Sequence, residues 1–145
     1  MNWQKISIDR LKSYENRQQA LINIPEQIET LEMSLTSIRA AKTDKIPVKE
    51  GGNKREDALI NNIVMREELS RNLEITKREV EITDNALRQL TKEELKILDR
   101  FYIHHVRGHA ERLSEELNIE RSRVYELKDN ALKKFTIACY GIVEI

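Results

Sequence analysis

From Ile24 to Phe135 the apolar residues of this chain fall three or four positions apart in run after run. That spacing follows one face of a helix at 3.6 residues per turn, whereas a strand would alternate every second residue. The strictest run is Ile24, Ile28, Leu31, Leu35 and Ile38, with steps of 4, 3, 4 and 3. A second passes through Leu69, Leu73, Thr76, Val80, Thr83, Leu87 and Leu90, and Thr at two of its seven positions weakens it. Both are heptad seams of the kind that pair helices. Composition agrees: 34% of residues are charged, 5% are aromatic, and 145 residues hold four Gly and two Pro. The core must come from Leu, Ile and Val, and the expected fold class is all-α.

Breaks in the rhythm give the organisation. Residues 1–22 read as one helix, with Ile8, Leu11, Tyr14 and Leu21 near one face. Pro25 is expected to punctuate the chain, with Asn23 as cap, and a new helix should run to about Ala41. Residues 43–54, with Pro47 and Gly51-Gly52, form the clearest loop, and the next helix should begin near Arg55. The two seams predict an N-terminal helical hairpin or coiled coil over 1–89. Its second helix is the longer. The surplus would pair with the 1–22 helix or with another subunit, and periodicity does not choose between packing and dimerisation.

Leu90-Thr91-Lys92-Glu93-Glu94-Leu95 marks a boundary. Thr91 and Glu94 fit a capping box, and Leu90 with Leu95 fits the accompanying hydrophobic staple. The helix that starts here should turn Leu95, Leu98, Phe101 and Tyr102 inward and end before Gly108. Leu113, Leu117 and Ile119 are followed by Val124, Leu127, Ala131 and Phe135. Here an apolar face is interrupted once, at Asn118-Ile119, and then resumes. Two helices joined by a tight turn follow, over 109–117 and about 121–138. Residues 90–145 therefore read as a three-helix, helix-turn-helix domain.

At about 100° per residue, Val124, Leu127, Ala131 and Phe135 share one arc of the last helix. Ser122, Tyr125, Glu126, Asp129 and Lys133 share the opposite arc, with Arg121 at its edge. In a helix-turn-helix the exposed arc enters the major groove, N-terminal end first. Arg121 can bond guanine or a phosphate, and Ser122 suits either. Tyr125 offers a ring to a thymine methyl and a hydroxyl to a phosphate, and Glu126 can accept from cytosine N4. Arg107, Arg112 and Lys128 are candidates for backbone phosphates, and Lys133 on the arc is a further candidate DNA contact. Arg123 and Lys134 read as solvated charge.

The stretch LTKEELKILDRFY followed by GHAERLSEELNIERSRVYELKDNALKKF resembles region 4 of bacterial sigma factors. It is also similar to the sigma-like C-terminal domain of phage late-transcription regulators of the ArpU/RinA type. The resemblance covers about a third of the chain; the first 87 residues match only in helical character. It implies a three-helix fold, promoter DNA as ligand and RNA polymerase as partner. It also implies that base contacts come from Arg121, Ser122, Tyr125 and Glu126. The chain departs from the family pattern at four places. Asn118 stands at a turn that often has Gly, and Glu120 caps the reading helix in place of Ser or Thr. His109 stands where the preceding helix usually has a Thr or Ser cap. Asp129 adds a second acid to the DNA arc. The sigma regions that bind core polymerase and melt DNA are not recognisable, so a complete sigma factor is not expected.

Charge limits how DNA could be held. The chain has 25 basic and 25 acidic residues, and from Arg88 onward 11 Lys and Arg face 10 Asp and Glu, a net +1. No bulk attraction for nucleic acid exists, so one copy should bind weakly and a homo-oligomer, a dimer first, is expected. Cys139 is the only cysteine, so no intrachain disulfide forms. Neither a signal peptide nor a membrane span is recognisable, and the expected location is the cytoplasm. Walker loop, dinucleotide fingerprint and catalytic triad are absent, so no enzyme activity and no cofactor are expected. His104, His105 and His109 lack the companions of a metal site. Two other roles stay open: a DNA-packaging adaptor of the small-terminase kind, and a coiled-coil interaction protein without DNA.

Overall fold

The computed structural model describes residues 1–40 and 49–141, and the side chains of all of these except 49–53. The regular structure of the described residues is all helical, with no strand. In order the helices are α1 (Trp3–Ala40), α2 (Lys49–Arg88), α3 (Lys92–Leu98), α4 (His109–Leu117) and α5 (Arg121–Tyr140). A π-helical turn, Asp99–Ile103, continues α3.

The heptad seams are where the chain buries itself. Ile24, Ile28, Leu31 and Ile38 are half-buried and Leu35 is buried. In the second run Val80, Thr83 and Leu90 are buried and the other four positions half-buried. The break expected at Pro25 does not occur: α1 passes through it. An interior proline costs about 3 kcal/mol, through a lost N–H and a clash with the preceding turn. Here Pro25 is exposed, while Leu21, Ile24 and Ile28 on either side stay packed. The seam continues across the defect and outweighs it. The loop expected over 43–54 is only partly tested. Residues 43–48 lie outside the described residues, and α2 already includes 49–54, with Gly51-Gly52 in its first turns. That start is six residues earlier than Arg55. Each of those glycines costs about 1 kcal/mol against Ala, which a 40-residue helix absorbs.

Two compact units divide the chain. One is Gln19–Lys77, the middle of the hairpin. In it Asn62 is buried and its Nδ2 donates to the Leu31 carbonyl at 2.7 Å. Arg66 in turn donates to Asn62 Oδ1 at 2.9 Å.

The other unit joins Met1–Gln18 to the chain from Arg78 onward. It therefore holds the whole of α3 to α5 together with the first turns of α1 and the last turns of α2. Leu11, Ala86, Leu90, Leu98, Ala131, Leu132 and Phe135 form one core cluster. The surplus of α2 thus pairs with the start of α1, and the C-terminal half of α5 packs there as well. Arg10, buried on α1, binds this cluster's edge. Its guanidinium contacts Glu79 at 2.6 Å and donates to Thr83 Oγ1 at 3.2 Å and to Tyr140 Oη at 2.8 Å. A seam threonine is therefore a partner for a buried cation rather than a defect. Thr136 donates to Ser7 at 2.8 Å in the same layer. Burial raises the Tyr14 phenol to about 12, helped by its hydrogen bond to Asp84. Burial likewise pushes the Cys139 thiol up to about 11, which leaves it unreactive at neutral pH.

Candidate nucleic-acid interface

The candidate site is α4, the turn after it and the start of α5, built over a second cluster. Ile97, Phe101, Ala110, Leu113 and Val124 are its buried members, with Tyr102, Leu117, Ile119 and Leu127 packed against them. Each fully buried Leu or Val contributes roughly 1.5–3 kcal/mol, so these five fix the angle between α3, α4 and α5. Thr91 caps α3 through the full reciprocal box: its Oγ1 accepts from the Glu94 N–H, and Glu94 accepts from the Thr91 N–H at 3.0 Å. Burial opposes ionisation of Glu94, but that N–H and the Lys134 ammonium at 3.0 Å outweigh it and lower its pKa. Lys134, expected to be solvated, is thus a tie from α5 to α3. The π-helical turn adds a residue to the end of α3, with the His104 N–H reaching the Asp99 carbonyl at 2.7 Å. Along this segment Ile97 and Phe101 face this cluster while Leu98 faces the other.

The turn closes as its residues dictate. Asn118 sits at φ 56°, ψ 48°, the left-handed region that Asn tolerates second only to Gly. Its N–H bonds the Glu115 carbonyl at 3.3 Å, and the Ile119 N–H bonds the Ser114 carbonyl at 3.1 Å. Those two bonds make a Schellman motif, and Ile119 packs in the same cluster as Leu113. Ser114 adds a bond that the sequence did not reveal, Oγ to the Ile119 carbonyl at 2.5 Å. The start of α4 corrects one expectation. The cap position belongs to Gly108, at φ 73°, and His109 is the first helical residue. A left-handed cap suits glycine because it has no Cβ. His109 instead packs edge-on against Phe101, ring centres 4.2 Å apart, with Nδ1 3.0 Å from the Val106 carbonyl.

Arg121, Ser122, Tyr125, Glu126 and Lys133 are all exposed on α5, as are Arg123 and Asp129. Glu120 caps α5 with no side-chain hydrogen bond, leaving the first N–H groups without a side-chain acceptor. Arg121 is 61% exposed and only 3.7 Å from Glu111, a loose pair. Tyr125 stands edge-on to Phe101 at 5.7 Å, so its ring direction is set from beneath. Glu126 is held by Arg123 at 2.8 Å. Arg107 and Arg112 are exposed around α4. Among the described residues neither they nor Lys133 has an ion-pair partner.

Lys128 is placed differently from the other candidates. It is 19% exposed, pairs with Asp129 at 2.8 Å, and puts its ammonium over the Phe101 and Tyr125 rings at 5.7 Å from each. Burial works against its charge, but Asp129 and the neighbouring Tyr102 phenol outweigh that and raise its pKa. It braces Tyr125 and neutralises Asp129, one of the two acids on the arc. Glu116 binds Lys96 and Arg100 of the α3 segment, and the Lys96 hydrogen bond leads in lowering its pKa. Among the described residues no group of three His, Cys, Asp or Glu could hold a metal, and no helix is long and apolar enough to cross a membrane.

Compared with protein-family models, curated proteins and solved structures, the chain finds no match.

Proposed function

We propose that this protein is a sequence-specific DNA-binding regulator of transcription, of phage or prophage type, acting at promoters by binding and without catalysis. One observation carries this most. A left-handed Asn118 turn presents the start of α5 outward, with Arg121, Ser122 and Tyr125 exposed and a shared apolar cluster beneath. An exposed helix start after a tight turn supports a reading helix, whose N-terminal end enters the major groove first. Arg121 is the leading base contact, Tyr125 packs on a thymine methyl, and Arg107, Arg112 and Lys133 take phosphates. Lys128 acts indirectly, by holding Tyr125. The resemblance to sigma region 4 makes RNA polymerase the partner to test. With Glu126 and Asp129 tied to their own cations, few charges are free for phosphate, so a second copy or a partner supplies the rest of the affinity. Selection of bound duplexes from a random pool, followed by shift assays, tests this. Arg121→Ala should weaken the selected site by about 1–3 kcal/mol if the contact is bidentate to guanine. An unchanged preference rejects the assignment.

A further inference from the structure

The outward face of α2 carries apolar side chains that its own unit leaves uncovered. Ile60, Val64 and Ile75 are 57, 44 and 60% exposed. At 100° per residue they fall within about 40° of Val64, together with Asp57, Glu68 and Arg71. This stripe lies across the helix from Leu69 and Leu73, the half-buried seam. Ile63 and Met65 flank it, both exposed. Single exposed apolar residues need no explanation, but Ile60, Ile63, Val64 and Met65 adjoin within two turns and make a patch that marks a contact.

The charges say what covers it. Asp57 and Arg71 lie seven residues either side of Val64. Neither has an ion-pair partner among the described residues. A second α2 laid parallel and in register would set Asp57 on Asp57, Glu68 on Glu68 and Arg71 on Arg71. An antiparallel α2 centred between Glu67 and Glu68 would bring the four glutamates together. An antiparallel α2 centred on Val64 opposes no like charges. It places Asp57 against Arg71 at both ends, Ile60 against Glu68 and Val64 against Val64, with Ile63 and Met65 each beside its own copy on one flank. Two-fold symmetry makes the Asp57–Arg71 contact occur twice, while Val64 meets its own copy once, on the axis.

We propose that the stripe from Asp57 to Arg71 is the contact between two copies of this chain, packed antiparallel about a two-fold axis at Val64. The surface stands whether or not α5 reads DNA, and it supplies the second copy that the DNA reading requires.

Sedimentation of the full-length protein without DNA tests it, with circular dichroism as the folding control for each variant. The wild type should reach dimer mass with rising concentration. Asp57→Arg and Arg71→Asp should each weaken the dimer at least about tenfold, since each sets like charges opposite at two symmetric places. The double variant should recover to within about threefold of wild type, because the pair is restored with its signs exchanged. In a Cys139→Ala background, Val64→Cys should form a disulfide-linked dimer on mild oxidation, because the axis places the residue opposite its own copy. A monomer at all concentrations, a mass above two copies, a double variant weaker than either single one, or no cross-link in the Val64→Cys variant each overturns the proposal. Arg121→Ala should leave the mass unchanged while altering DNA binding, so the two readings fail separately.

Discussion

Asn118 carries the turn on which the site depends, and its substitutions should rank in a set order. At φ 56°, ψ 48° the residue occupies the left-handed region. That region costs an ordinary L-residue about 1–2 kcal/mol, Asn less, and Gly nothing. Gly loses about 0.5–1 kcal/mol of that advantage through the freedom of its unfolded chain. Asn118→Gly should therefore be neutral or stabilising by about 0.5 kcal/mol. Asn118→Ala should cost about 1 kcal/mol. Asn118→Val should cost about 2 kcal/mol, because a β-branched side chain crowds this region further. The two turn hydrogen bonds, at 3.3 and 3.1 Å, exist only in this conformation and would loosen together. Urea unfolding followed by Trp3 fluorescence is the suitable assay. Trp3 is the only tryptophan. It packs 5.2 Å from the Tyr140 ring, within the unit that holds the turn. A Val variant as stable as wild type, or a Gly variant below Ala, would refute the reasoning.

Glu120→Ser should stabilise the same unit by about 1 kcal/mol, because the present cap makes no side-chain hydrogen bond; a urea midpoint unmoved or lowered would count against it. The same change removes an acid beside the expected phosphates, so specific DNA binding should tighten in a shift assay. His104 sits between Asp99 and Glu15, and hydrogen bonds to both raise its pKa. The protonated form is thus favoured in the fold. Its stabilisation is complete below the unfolded value, near 6.5, and is lost as pH rises through the higher folded value. Being 54% exposed, it contributes modestly. His104→Gln should flatten this part of the stability–pH curve in thermal melts, and an unchanged slope would remove His104 from the account.

The seams and the turn were legible because they are local. Ile24 to Ile38 and Leu69 to Leu90 announce their buried side by spacing alone, and Asn118 stands where an apolar face breaks and resumes. Thr91 and Glu94 sit three residues apart, so their reciprocal bonds need nothing from elsewhere. What escaped reading depends on distant partners. Arg10 looks like a surface cation, but its partners Thr83 and Tyr140 lie 73 and 130 residues away. Lys128 is polar by type and half-buried by position, because its ammonium sits over the Phe101 and Tyr125 rings. Pro25 carries a real local penalty, overruled by a seam that packs on both sides of it. At the candidate site periodicity found the exposed arc, but which of its charges stay free depends on pairs such as Arg123 with Glu126 and Lys128 with Asp129.

The most direct test of DNA reading by the start of α5 is selection of bound duplexes from a random pool, with wild type and with Arg121→Ala in parallel. One enriched motif is expected for wild type. For the variant, a loss of preference confined to one base pair is expected, with the neighbouring positions kept. No enrichment by wild type, or the same motif recovered at full strength by Arg121→Ala, would contradict it.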